Sequence, residues 1–239
     1  KNNQVSSIQK RKKEMTSQLF KEVANQTGKL FDENVLTIVW ARRFAAYKRA
    51  DLLMKDWERF LKLLNQTEMP IQVIWAGKPY PEDTEANYVF NEIIRKTKAF
   101  GNCAVLVGYE LGLSAMLKKG SDVWLNNPKM YCEASGTSGM TAAMNGCVNL
   151  SIPDGWIPEF AIEDENCFII KPASNELSEV DRDIEENANL MSVLENEVLP
   201  TYYHNPAKWN ELIQNGLKGV IPAFESARMV KEYYREMYN

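Results

Sequence analysis

The chain has one histidine, His204, and four cysteines with no Cys-x-x-Cys pair, so it lacks both the ligand spacing of a structural zinc site and a disulfide framework. No metal site is expected. Cys103, Cys132, Cys147 and Cys167 are scattered, and they read as reduced thiols of a cytoplasmic protein. Cys132 has no histidine nearby to act as its base, so a small packed side chain is expected there rather than a nucleophile. No apolar run approaches the roughly 20 residues that cross a bilayer, which argues against a membrane span. With 28 basic against 32 acidic residues the formal charge is −4, and no basic excess points to nucleic acid. Walker loop, dinucleotide fingerprint, internal repeat and low-complexity tract are all missing, which sets hydride and phosphoryl transfer aside. The opening Lys1-Asn-Asn-Gln resembles neither a signal peptide nor an initiator start, so a chain that begins part-way through a longer protein is expected.

What is present is an ordinary globular composition, 45% hydrophobic over 239 residues, enough for one sizeable core. A single domain over 1–239 is expected, with a lead-in helix within 1–28 and closing helices within 186–239. Buried strands are predicted at 35–40, 72–76, 103–107, 122–125, 147–151 and 167–170 from their short β-branched and aromatic runs. Helices are predicted at 5–23, 50–64, 84–100 and just after Gly108, with Gly28 ending the first. Strands alternating with helices at this spacing give an α/β fold, a Rossmann-like parallel sheet with helices on both faces. Residues 176–187 are acidic and weakly apolar, and an exposed loop or frayed helix is expected there. The last helices fall at 191–199, 209–217 and 224–238, with Tyr202, Tyr203, Trp209, Tyr234 and Tyr238 read as core.

Two segments carry chemistry. Cys132–Asn145 is a small-residue loop that opens into a helix. Gly136 and Gly139 let the backbone approach an anion, Thr137 and Ser138 add hydroxyls, and the first-turn amides point at the same place. An ordinary Ser/Thr/Gly turn capping a helix has the same composition. The second segment, Trp40–Arg49, places four cations where a strand ends, the edge at which open α/β sheets bind ligands. Arg43 and Lys48, roughly one helical turn apart, would face one anion together. A solvated basic helix start is the plainer reading, and it fits Arg49 better than Arg43. Asp154-Gly155-Trp156 is either a loop that reaches the ligand, with Glu159 beside it, or a plain Asp-Gly turn.

The runs Ala41–Arg49 and Glu133–Met140 resemble the two signature segments of the α-glucan (glycogen, starch, maltodextrin) phosphorylases. Gly108-Tyr109-Glu110, Ser121–Pro128, Leu150-Ser151 and Asp154-Gly155-Trp156 agree, so the resemblance extends in order over roughly residues 30–170. It implies the carboxy-terminal half of a two-domain GT-B glycosyltransferase acting on α-1,4-glucan, inorganic phosphate and glucose 1-phosphate with retention of configuration. The acceptor half would lie in an amino-terminal domain of the same protein, and this chain alone would be inactive. Carried over residue by residue, Arg43 and Lys48 would clamp the substrate phosphate. Glu133, Ala134, Ser135 and Gly136 would bind the sugar. Arg42, Tyr109, Thr137, Ser138 and Gly139 would surround the phosphate and ring of pyridoxal phosphate.

One position departs. Where the resemblance puts the lysine that holds pyridoxal phosphate, this chain has Thr141, which forms no imine. Nor is Thr141 the second carboxylate of the related nucleotide-sugar transferases. Three expectations follow: a phosphorylase relative that binds the cofactor non-covalently or not at all, a glycogen synthase-type enzyme using a nucleotide sugar, or a non-catalytic sugar- or phosphate-binding module.

Overall fold

The computed structural model describes residues 2–238, with side chains from residue 7 onward; Lys1 and Asn239, which the expected 1–239 domain includes, lie outside them. Six strands form one parallel sheet: β1 (Leu36–Ala41), β2 (Ile71–Ala76), β3 (Cys103–Leu106), β4 (Val123–Asn126), β5 (Val148–Ser151) and β6 (Cys167–Ile169). Their spatial order is β3-β2-β1-β4-β5-β6, the Rossmann order, which reverses between β1 and β4. Every residue of β1 and β2 is buried, as expected of strands covered on both faces.

Alternate residues of β1 serve two cores. Leu36, Ile38 and Trp40 pack with α2 (Trp57–Asn65), α3 (Thr84–Thr97), α7 (Glu179–Val193), α8 (Leu199–His204) and α9 (Pro206–Phe224). Val39 and Ala41 face α1 (Asn2–Thr27) and α4 (Leu111–Gly120) on the other side. Trp40, Trp75 and Trp124, one on each central strand, are fully buried. Helix starts are fixed by side-chain caps: Asp56 accepts from the Arg59 amide, Asp83 from Ala86, Ser178 from Asp181 and Asn205 from Lys208. Two short helices, α5 (Thr137–Ala143) and α6 (Ile157–Phe160), flank β5, and α10 (Ser226–Met237) ends the fold.

The structure corrects four expectations. Residues 50–64 are not one helix: a 3-10 turn at Leu52–Met54 precedes α2, because Asp56 caps a new start. The acidic 176–187 segment is exposed over much of its length, as expected, but it is neither a loop nor frayed. It enters α7, where Glu186 and Asn187 are buried; Glu186 pairs with Arg49 and takes the Ala173 amide, and Asn187 donates to the Leu52 carbonyl. Tyr234, on α10, where no residue is buried, and Tyr238, just past its end, are both exposed. Cys132 is exposed rather than packed.

Candidate active site

The carboxyl ends of β1 and β4 open a crevice at the point where the strand order reverses. Arg42 leaves β1 there; its amide donates to the Ala76 carbonyl at 3.1 Å and so carries the ladder one residue further. Its side chain turns inward and is 8% exposed. Nη2 donates to the Leu125 carbonyl at 3.0 Å and to the Asn126 side-chain oxygen, and the guanidinium lies 5.6 Å from the Trp40 ring centroid. Burial pushes Arg42 down to about 10, opposed by Glu133 first and then by Tyr109 and Tyr47. Its Nε has no partner among the described residues. A buried guanidinium with an open donor is costly until an anion meets it.

From Arg42 a polar relay crosses the sheet. Asn126 Nδ2 donates to Asn149 Oδ1 at 2.8 Å, and Asn149 Nδ2 donates to the Gly139 carbonyl at 3.2 Å. Gly139 lies in the first turn of α5, and a Cβ there would stand 2.8 Å from Trp156 Nε1 and 3.0 Å from Asn149 Oδ1, so only glycine fits. The amides of Thr137 and Ser138 open the same helix, where first-turn donors have no intrahelical acceptor.

The loop before α5 brings the carboxylate. Glu133 pairs with Lys48 through Oε2, both side chains being largely buried at 15% and 13% exposure. The Glu133 amide donates to Asp154 Oδ2 at 2.9 Å, and the Trp156 amide donates to the Ser135 carbonyl at 2.9 Å. Between them Gly155 adopts φ +62, with space for a Cβ only 2.6 Å from the Ser135 oxygen. The Asp154-Gly155-Trp156 turn therefore holds the Glu133 loop from behind, and Glu159 is exposed outside it. Arg42, Asn126, Glu133, Gly136, Asp154 and Trp156 together line a small cavity.

The structure thus brings Arg42, Lys48, Glu133, Ser135 and Gly136 to one place, with Thr137, Ser138 and Gly139 on the relay side. Tyr109 is half-buried beside them, donating from its hydroxyl to the Ala41 carbonyl at 3.2 Å. Ala134 is exposed. Arg43 and Lys48 do not lie along one α-helix: Ala46–Lys48 is a 3-10 turn, and Arg43 is exposed. The solvated reading of Arg49 is overturned. It is 4% exposed, its Nη1 meets Asp183 and Glu186 at 3.0 and 2.5 Å, and it donates to the Asn127 and Pro128 carbonyls. A buried charge needs such partners, and the segment that supplies them lies more than 130 residues away. Asn126 and Asn149 were not singled out from the sequence. The available signal was an amide at the end of β4 and another within the four residues of β5.

Thr141 sits on α5 with its hydroxyl donating back to the Thr137 and Ser138 carbonyls at 3.0 and 3.1 Å. A threonine at residue 141 has no amine with which to hold a covalent cofactor. No described helix is long and apolar enough to cross a membrane.

The carbohydrate phosphorylase family profile matches residues 1–205. A maltodextrin phosphorylase of Thermococcus litoralis is 41% identical over 211 residues, 87% of this chain and 25% of the relative. A glycogen phosphorylase of Aquifex aeolicus is 39% identical over 220 residues, 89% of this chain and 31% of the relative. An uncharacterized protein of Methanocaldococcus jannaschii is 43% identical over 235 residues, 98% of this chain and 43% of the relative. The chain therefore spans between a quarter and about two-fifths of the length of these curated relatives. With a Rossmann-ordered sheet, a cationic crevice at its reversal point and a family match over most of its length, the chain belongs to the carbohydrate phosphorylase family as an α-glucan phosphorylase-type domain.

Proposed function

We propose that this chain is the sugar-phosphate half of a retaining, cytoplasmic α-glucan phosphorylase-like glycosyltransferase, acting on α-1,4-glucan and glucose 1-phosphate. The acceptor half belongs to an amino-terminal domain of the full-length protein, and residues 1–239 alone are inactive. The observation that carries this reading is the meeting of Lys48 with Glu133 beside the half-satisfied guanidinium of Arg42. Anion and polyol recognition need this combination, cations for a phosphate and a carboxylate for sugar hydroxyls. The two relatives with enzyme names, a maltodextrin and a glycogen phosphorylase, support the same substrate class.

In this reading Arg42 and Lys48 stabilise the phosphate charge that grows as the glycosidic bond opens, with Arg43 as a further cation supplied from the exposed side. Glu133 accepts from glucose hydroxyls and fixes the ring, and Asp154 holds the Glu133 backbone in place. The amides of Thr137 and Ser138, with Gly139 behind them, receive a second phosphate. Pyridoxal phosphate would supply its own phosphate there as an acid partner of the substrate phosphate. Thr141 leaves it no covalent anchor, so it binds reversibly or not at all.

Thr141 offers a covalent cofactor no amine, which leaves a second reading, in which a nucleotide-sugar diphosphate fills the same crevice in a synthase-type reaction. The test is ligand-induced thermal stabilisation of the 239-residue chain by glucose 1-phosphate, pyridoxal phosphate or a nucleotide sugar. Stabilisation by glucose 1-phosphate, abolished in Arg42→Met, is expected. Stabilisation by the nucleotide sugar alone would replace the first reading with the second. No stabilisation by any of them would leave a non-catalytic module. Robust phosphorolysis of maltodextrin by the 239-residue chain would overturn the need for a second domain.

A further inference from the structure

A second cavity, larger than the one at the crevice, stands apart from it. It lies at the opposite, amino edge of the sheet and encloses about 630 Å³ between α1, α9 and the end of α5. That volume falls in the range of small-molecule sites. One wall is apolar and aromatic: Trp209 and Tyr202 meet edge-to-face with centroids 5.0 Å apart, and Ile213 and Leu217 continue the α9 face.

Its charges are lopsided. Arg11, Lys12, Lys13 and Lys119 reach it, against Glu33 and Asp122. Lys12 is engaged by the Ser121 carbonyl, with Cys147 Sγ 3.6 Å away. Among the described residues Arg11 makes only a solvent-exposed 3.5 Å pair with Glu14, and Lys13 and Lys119 form no ion pair. Asp122 accepts the Thr37 amide at 2.9 Å, and burial pushes its carboxyl up, toward the neutral form. The field in the cavity therefore favours a negative group.

The floor is Met144-Asn145-Gly146, directly after α5. Asn145 Nδ2 donates to the Thr141 carbonyl at 2.7 Å and its amide to Ala142 at 2.9 Å. One two-turn helix thus runs from the Thr137 loop at one edge of the sheet to this cavity at the other.

We propose that the cavity is a second ligand site, for a small amphiphilic anion whose flat apolar body rests on Trp209 and Tyr202 and whose phosphate, sulfonate or carboxylate lies among Arg11, Lys13 and Lys119. Its occupancy is felt at residues 137–143 through α5. This stands independently of which chemistry the crevice performs.

The probe is 8-anilinonaphthalene-1-sulfonate added to the 239-residue chain, read by its fluorescence and by energy transfer from tryptophan. Saturable binding of one dye per chain is expected. Lys13→Glu with Lys119→Glu, surface changes that leave the fold intact, should weaken it about tenfold. Ile213→Trp, which fills the cavity, should remove it while circular dichroism stays that of the parent. Binding that is absent from the parent, or equal in the parent and both variants, would overturn the site; the dye would then be on an exposed apolar face such as that of α10. Hydrogen exchange at residues 137–143 should slow on dye binding, and unchanged exchange with saturable binding would overturn the coupling.

Discussion

Lys48 and Glu133, 85 residues apart in the chain, close on each other as an ion pair at the carboxyl edge of the sheet. Without ligand the pair is self-neutralised, so under the proposed function an incoming phosphate would compete with the carboxylate for Lys48 while sugar hydroxyls would be drawn to Glu133. Glu133→Gln should therefore bind inorganic phosphate about fivefold more tightly and lose its advantage for glucose 1-phosphate over phosphate. Lys48→Met should weaken both. Calorimetric titration of the two ligands gives the comparison, and an unchanged phosphate affinity in Glu133→Gln would show that the pair does not gate the site.

Arg42 trades stability for binding. At about 10 it remains charged at every working pH, and this depressed value means that folding disfavours its charged form below pH 10, with relief only as pH rises toward the unfolded value. Arg42→Met removes that burden but strands the Asn126 oxygen and the Leu125 carbonyl. The two effects offset, so urea denaturation should place the variant within about 1 kcal/mol of the parent, with its phosphate-dependent stabilisation gone. A loss of about 4 kcal/mol would mean that the guanidinium serves the fold and not a ligand.

Gly139 reports whether the relay matters. A methyl group there would press on Trp156 Nε1, Asn149 Oδ1 and Asn126 Nδ2, none of which is a free-ending chain. Gly139→Ala should destabilise by about 2 kcal/mol and shift the tryptophan emission, while Gly101→Ala, with nothing within 4 Å, should do neither. Equal behaviour of the two variants in thermal unfolding would show that the relay tolerates displacement.

The strands were legible because parallel, doubly covered strands must be short continuous apolar runs; all six lie within two residues of their expected bounds. The segments that form the crevice were legible, since Glu133 and Lys48 both fall in the runs that resemble the family's signature segments. What sequence did not disclose was direction. Adjacent residues leaving a strand point to opposite sides, so Arg42 went in and Arg43 out, and nothing local says which. Arg49 and the acidic stretch at 176–187 each look solvated when taken alone. Only the tertiary fold reveals that they neutralise each other.

That network makes its own prediction. Arg49 is a hub: Nη1 serves Asp183 and Glu186, while Nε and Nη2 hold the Asn127 and Pro128 carbonyls that begin the chain's run to Glu133. Arg49→Ala leaves the buried Glu186 without a cation and Asp183 with Lys55 alone, and should cost about 4 kcal/mol by urea denaturation. Arg49→Lys should recover less than half, because an ammonium cannot span the fork. Full recovery by lysine would reduce the network to simple charge pairing.

Thr141→Lys tests what the crevice was shaped to hold. Thr141 is half-buried on α5, four residues after Thr137, and its hydroxyl is spent on the Thr137 and Ser138 carbonyls. A lysine there loses those back-bonds at little cost, because lysine is the better helix former and its stem has solvent to extend into. If the Thr137–Gly139 turn receives the phosphate of pyridoxal phosphate, the cofactor aldehyde comes within reach of a lysine on the same helix, and borohydride reduction should fix one adduct at residue 141. The parent should acquire none at that position. Mass spectrometry of the digested protein separates residue 141 from exposed lysines such as Lys10 or Lys98. Labelling of Thr141→Lys at those surface lysines with none at 141, in a chain that keeps the parent's thermal midpoint, would mean that the turn is a structural cap and that any anion in the crevice rests on Arg42 and Lys48 alone.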